Sequence, residues 1–211
     1  MPTPRKRKYV SAAREEAAGR SRRRVLDAAA ALFGKRGIDR VTIAQIAARA
    51  KVSVPTVYAL FRSKEGILNA ILESALFGPA FQAARARLDG VTDPVVLIEL
   101  SATVARAIYE SESTALGLMR GASAFSPALR KAEQAFEQLR YAMQEARVRL
   151  LFAEGKATPG LALDDARRIL WMYTGRDIYR MLVQEGGWSP DKYEAWLART
   201  LVTSLVRPEL R

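Results

Sequence analysis

Neither cysteine nor histidine occurs in the 211 residues. Their absence excludes disulfides, Cys/His zinc sites, a thiol nucleophile, a Ser-His-Asp triad and imidazole acid–base catalysis. The fold must therefore rest on a packed core, and 49% hydrophobic residues over this length suffice for one. Long apolar runs are missing too. The longest stretch without a charge is Ser74 to Ala84, 11 residues, whereas a membrane-spanning helix needs about 20. The basic start Arg5-Lys6-Arg7-Lys8 is followed by Arg14, Glu15, Glu16 and Arg20 where a signal peptide would be apolar. A cytoplasmic protein with no membrane partner is expected. No glycine loop of the phosphate-cradling kind is present, and the adjacent pairs Glu15-Glu16 and Asp164-Asp165 cannot face one another on a helix. Ser189 and Lys192 have a serine-lysine spacing, but Pro190 makes this a helix start. No enzyme activity, catalytic residue, metal site or cofactor is expected.

Charge of one sign is scarce in part of the chain. Overall, 34 Lys and Arg face 22 Asp and Glu, a net charge of +12. Residues 1–72 hold 16 basic and 5 acidic side chains, and residues 73–211 hold 18 and 17. A compact basic region attached to a larger neutral one points to a polyanion-binding module joined to a module with another task.

Along the chain, residues 1–20 have no sustained apolar period and carry Pro2 and Pro4, so they read as a basic, mobile arm whose second half, Ser11 to Gly19, can form a frayed helix. From Ser21, Val25/Leu26, Ala29 and Leu32/Phe33 repeat at helical spacing until Gly37. Thr42 with Gln45 three residues on forms a capping box for a second helix. Ser53, with Pro55 in the first turn, starts a short third helix ending near Leu60, and Ser63 starts a fourth that Gly78-Pro79 should break. Asp93-Pro94, Ser126-Pro127 and Ser189-Pro190 are further helix starts. From Leu129 the inward positions are expected at Ala132, Phe136, Leu139, Met143, Ala146 and Leu150, one long amphipathic helix. Residues 164–185 and 190–206 are apolar on more than one face and need two partners. The chain's own core is one and a second copy of the chain the other, with Ile178, Leu182, Trp196, Leu197, Leu201 and Leu205 at the dimer interface. The fold class is all-α, with a basic arm over 1–20, a three-helix helix-turn-helix domain over 21–72, and a helical bundle for ligand binding and dimerisation over 73–211.

Thr42 to Arg49, a tight turn at Ala50-Lys51-Val52 and a helix from Ser53 have the two-helix arrangement that fits a major groove, the second helix presenting its N-terminal residues to base edges. The strings Ala31-Leu32-Phe33-Gly34-Lys35-Arg36-Gly37, Val41-Thr42-Ile43-Ala44-Gln45-Ile46-Ala47 and Val52-Ser53-Val54-Pro55-Thr56-Val57-Tyr58-Ala59-Leu60-Phe61-Arg62-Ser63-Lys64-Glu65-Gly66-Ile67-Leu68 resemble the DNA-binding domain of the TetR (tetracycline-repressor-like) family. The resemblance implies a homodimeric, ligand-responsive transcriptional regulator, usually a repressor, bound to double-stranded DNA at a palindromic operator. It implies that Thr42, Tyr58 and Lys64 hold phosphates and that Ser53, Pro55 and Thr56 face bases. Gln45 and Arg49, one turn apart, are further groove or phosphate candidates. Where many members have glycine in the turn, this chain has Lys51. In the second module, Phe81, Tyr109, Met119, Phe125, Phe136, Met143, Trp171 and Tyr173 are candidate walls for a small apolar or aromatic effector. A nonspecific or architectural nucleic-acid binder using the same basic third is the competing expectation.

Overall fold

A computed structural model of the chain describes residues 4–110 and 126–210, with only the backbone for 4–15. The described residues are helical and contain no strand, only an isolated bridge between Ala157 and Val206. Two compact units emerge. Among the described residues, one comprises 4–74 and 126–132, and the other 75–110 and 133–210.

In the first unit α1 (Pro4–Arg36), α2 (Ile43–Ala50), α3 (Val54–Phe61) and α4 (Lys64–Leu76, to Ser74 in this unit) surround a core of Val25, Phe33, Ile46, Val57, Ile67 and Leu68. The first helix begins at Pro4 and not at Ser21, so the expected arm is helical in backbone. Proline is tolerated in a first turn, and the alanines and glutamates of 12–18 favour helix even without an apolar period. Glu16 and Arg20, a turn apart, pair at 3.7 Å. Gly37 ends α1 with φ 77, its N–H donating to Phe33 O at 2.9 Å. Gly66 is held close to the preceding turn, where an added Cβ would lie 2.0 Å from Phe61 O.

In the second unit α5 (Pro79–Ala86) starts at Pro79 after the expected break. The central helix is α6 (Pro94–Glu110), which packs against α5, α8 (Glu145–Ala153) and α11 (Pro190–Leu205). Its start is capped by Asp93 Oδ1, which accepts from Val95 N at 3.0 Å. Ser189 caps α11, accepting from Lys192 N at 3.2 Å. Arg106 ties the two helices by donating to Asp191 at 2.6 Å and Glu194 at 2.8 Å. Ser126, expected to cap the next helix, instead turns its hydroxyl to Asp39 Oδ1 at 3.3 Å within the first unit.

Three sequence expectations need correction. The helix expected to run unbroken through Leu150 is two, α7 (Pro127–Met143) and α8, separated at Gln144. Its inward face is displaced: Leu139 is 48% exposed and Ala146 is exposed, whereas Arg140, Gln144, Val148 and Leu151 are buried. The helix of 164–185 is likewise divided, into α9 (Leu163–Tyr173), α10 (Arg176–Tyr179) and a π-helical stretch Arg180–Glu185, with a break at Thr174-Gly175. Finally, Leu197, Leu201 and Leu205 have no exposed surface within the single chain. They lie on the buried side of α11 and are unavailable to a partner, while Ile178, Leu182 and Trp196 remain half-buried.

Candidate functional sites

The helix-turn-helix stands as its capping chemistry requires. Thr42 and Gln45 form the reciprocal box, with Gln45 N donating to Thr42 Oγ1 at 3.2 Å and Thr42 N to Gln45 Oε1 at 3.0 Å. The turn between α2 and α3 is closed by Lys51 in the left-handed conformation, φ 55 and ψ 47. A side chain there costs about 1 kcal/mol relative to glycine. Ser53 caps α3 by accepting from Thr56 N at 3.2 Å, and the two hydroxyls lie 2.7 Å apart. Ser63 caps α4, accepting from Gly66 N at 3.0 Å. Three helix N-termini thus carry polar caps within one unit, and free backbone N–H groups at such ends favour anions.

Every DNA-contact candidate lies outside the core. Thr42, Gln45, Arg49, Ser53, Pro55 and Tyr58 are exposed, Tyr58 by 51%, and Thr56 and Lys64 are half-buried. Arg49 and Lys51 form no ion pair among the described residues, whereas Lys64 stands beside Glu65 and helps hold its carboxyl below the usual range. Val54 is 37% exposed beside Pro55 and Ala59, giving the first turns of α3 an apolar outer surface between the hydroxyls of Ser53 and Tyr58. Val57 and Phe61 anchor the opposite face in the core, and Arg22 lies over the Phe61 ring at 4.8 Å. The helix is fixed from behind and its contact side is open.

The second unit holds a small, partly open cavity lined by Phe77, Phe81, Ser101, Val104, Ala105, Ile108, Arg140, Met143, Gln144, Arg147 and Thr174. Of the expected wall residues, Phe81 and Met143 line it. Phe136 stands behind, its ring 5.5 Å from Phe77. Tyr109 and Tyr173 belong instead to an aromatic cluster: Tyr109 packs on Tyr179 at 5.9 Å, Tyr179 on Tyr193 at 4.9 Å, and Tyr173 on Trp196 at 6.4 Å. Trp171 lies under the Arg140 guanidinium at 5.2 Å without reaching the cavity wall. Met119 and Phe125 lie outside the described residues.

Polar wall residues were missed from the sequence. Thr174 is their hub: its hydroxyl accepts from Arg140 Nη1 at 2.9 Å and Gln144 Nε2 at 2.7 Å and donates to Leu170 O at 2.6 Å. Arg140 also donates to Trp171 O at 2.7 Å and pairs with Glu137 at 2.6 Å. Arg147 donates to Ser101 Oγ at 2.8 Å, and burial pushes its guanidinium down to about 10. Arg140, Gln144 and Arg147 follow one another at spacings of four and three, the helical signal that could have revealed a polar stripe.

Residues 25–71 match the model of a family described as bacterial regulatory proteins, tetR family. Residues 25–71 therefore carry a tetR-family DNA-binding domain. The likeness of fold extends beyond the matched residues, since solved structures align over most of both chains. NalD, the secondary repressor of the MexAB-OprM multidrug efflux pump in Pseudomonas aeruginosa, is 23% identical with a TM-score of 0.69, covering 92% of this chain and 99% of its own. A SmeT–triclosan complex is 23% identical, TM-score 0.69, covering 90% and 94%. SmeT is described as the repressor of the Stenotrophomonas maltophilia multidrug efflux pump SmeDEF. FadR from Bacillus subtilis with stearoyl-CoA is 15% identical, TM-score 0.64, covering 85% and 96%. At these identities the likeness is one of fold. No curated protein matches the sequence. Among the described residues no single helix is long and apolar enough to cross a membrane, and no cluster of acidic side chains has metal-ligand geometry.

Proposed function

We propose that this tetR-family protein is a sequence-specific, ligand-responsive transcriptional repressor that binds a palindromic operator as a homodimer. The observation that carries the reading is the outer surface of α2 and α3: two capped helix N-termini with Arg49 and Lys51, neither ion-paired among the described residues, and Lys64 around an exposed, apolar-and-hydroxyl helix start. Eight residues of α3 span about 12 Å, a length that a major groove accepts end-on. Thr42, Tyr58 and Lys64 would hold phosphates and fix the register; Gln45 and Arg49 would flank the groove. Ser53, Pro55 and Thr56 would meet bases. Because Ser53 and Thr56 share a hydrogen bond, they act as one pair, with Val54 and Ala59 suited to thymine methyl groups.

Dimerisation is supported by the half-buried Ile178, Leu182 and Trp196 together with Met181, which is 46% exposed. A two-fold dimer would place two α3 helices on half-sites about 34 Å apart. The cavity of the second unit is the natural seat of an effector, and the triclosan and stearoyl-CoA complexes of fold neighbours support that assignment. An effector that binds better to a dimer with mismatched half-site spacing would release the operator. Charge reversal tests the surface: Arg49→Glu and Lys64→Glu should each weaken binding to duplex DNA strongly, and Arg199→Glu, on the exposed side of α11, should leave it near wild type. Equal losses from all three would refute the location.

A further inference from the structure

The two arginines of the cavity differ in their charge balance. Arg140 is buried and carries its own carboxylate, Glu137, at 2.6 Å, with Trp171 O and Thr174 Oγ1 satisfying the remaining fork. Arg147 has no carboxylate partner among the described residues. Its hydrogen bond is to Ser101 Oγ, a neutral hydroxyl that itself donates to Leu97 O at 3.0 Å. The only influence that shifts Arg147 is removal from water. Even so, a guanidinium held at about 10 is charged at neutral pH. A part-buried cation without an anion is costly, and it is placed on the wall of an otherwise mainly apolar cavity.

A second group in the same wall is unsatisfied. Gln144 is 7% exposed and its Oε1 has no hydrogen-bond partner among the described residues. The amide orientation follows from Thr174: a hydroxyl that accepts from both Arg140 and Gln144 has one proton, which goes to Leu170 O. Gln144 therefore presents Nε2 to Thr174 and keeps Oε1 as a spare acceptor. Phe77, Phe81, Val104, Ile108 and Met143 supply the rest of the wall.

We infer that the effector of this cavity is a small amphipathic carboxylic acid, its carboxylate paired with Arg147, a hydrogen-bond donor on it meeting Gln144 Oε1, and its apolar body against Phe77, Phe81 and Met143. The inference rests on the proposed ligand-responsive reading and specifies its chemistry. Arginine suits the carboxylate because its fork matches two oxygens at once.

The test is calorimetric titration of the full chain with two matched pairs, 4-phenylbutyrate against 4-phenylbutyramide and octanoate against octanamide. The acids should bind about tenfold or more tighter than their amides, as expected of a hydrogen-bonded charge pair. Arg147→Met should reduce each acid to the affinity of its amide, and Arg147→Lys should keep part of the preference. Ligand-free Arg147→Met should also melt at or above the wild-type temperature, because an uncompensated charge is removed. Acids and amides that bind equally and ignore Arg147→Met would overturn the carboxylate assignment while leaving an effector cavity in place. Failure of all four to bind at millimolar concentration would overturn both. A lower melting temperature for Arg147→Met would make the side chain a structural strut and refute its ligand role.

Discussion

Thr174→Val removes one oxygen and tests whether the polar hub organises the second unit. Thr174 is 2% exposed, and valine nearly preserves its shape, so the loss falls on hydrogen bonding. Gln144 loses its one hydrogen-bond partner among the described residues, and one Nη1 hydrogen of Arg140 is orphaned. Leaving a buried donor unpaired costs about 1–3 kcal/mol, more when it is charged. The Arg140 share is reduced because Trp171 O and Glu137 still hold the guanidinium. A total near 3 kcal/mol follows. In urea, with a slope of about 3 kcal/mol/M, the unfolding midpoint should drop by about 1 M. In a Gln144→Met background, where the orphaned amide no longer exists, Thr174→Val should cost about 1 kcal/mol less. A loss below about 0.5 kcal/mol in the wild-type background would refute the hub.

The DNA-facing unit yields further expectations. Lys51→Gly relieves the left-handed turn and should raise stability by about 1 kcal/mol in urea unfolding; destabilisation would contradict the strain. Thr42→Ala opens the capping box and should cost about 1 kcal/mol while weakening duplex binding; unchanged stability would contradict the cap. Gly66→Ala drives a methyl into Phe61 O and should cost about 1–3 kcal/mol or more, which thermal melting would show. Tyr58→Phe should weaken binding alike across sequences and Thr56→Ala should change the preferred bases, and identical sequence profiles for the two variants would overturn the assignment of phosphate and base contacts. At the start of α6, the Val95 N–H holds the Asp93 carboxyl below its ordinary range, with Lys156 assisting. A depressed folded pKa stabilises fully above the unfolded value near 4 and loses that contribution as pH falls through the folded one. Asp93→Asn should therefore flatten the acid limb of the stability profile.

Capping chemistry was the legible part of the sequence. Thr42/Gln45, Ser53, Ser63, Asp93 and Ser189 each carry an oxygen at the residue where free N–H groups begin, and each makes the cap hydrogen bond. Glycine at Gly37 and the break before Pro79 are equally local in cause. The inward face of 127–153 was illegible because polarity misleads there. Arg140 and Gln144 point inward beside Met143 where pattern reading assigns Leu139, and they share the hydroxyl of Thr174, a residue whose proximity only the fold creates. Leu197, Leu201 and Leu205 show a second limit. An all-round apolar helix reveals that it needs two partners, and not which residue faces which; here the chain's own core takes the three leucines. Tyr109 and Tyr173 were drawn from cavity to cluster for the same reason, since aromatic bulk alone does not distinguish a wall from a core.

Selection from random duplex DNA with the purified full chain at near-physiological salt tests the central claim most directly. Recovery of an inverted repeat with half-sites about one helical turn apart is the predicted result. A pool without sequence preference, bound only at low salt, would contradict it and identify the basic third as a nonspecific polyanion surface.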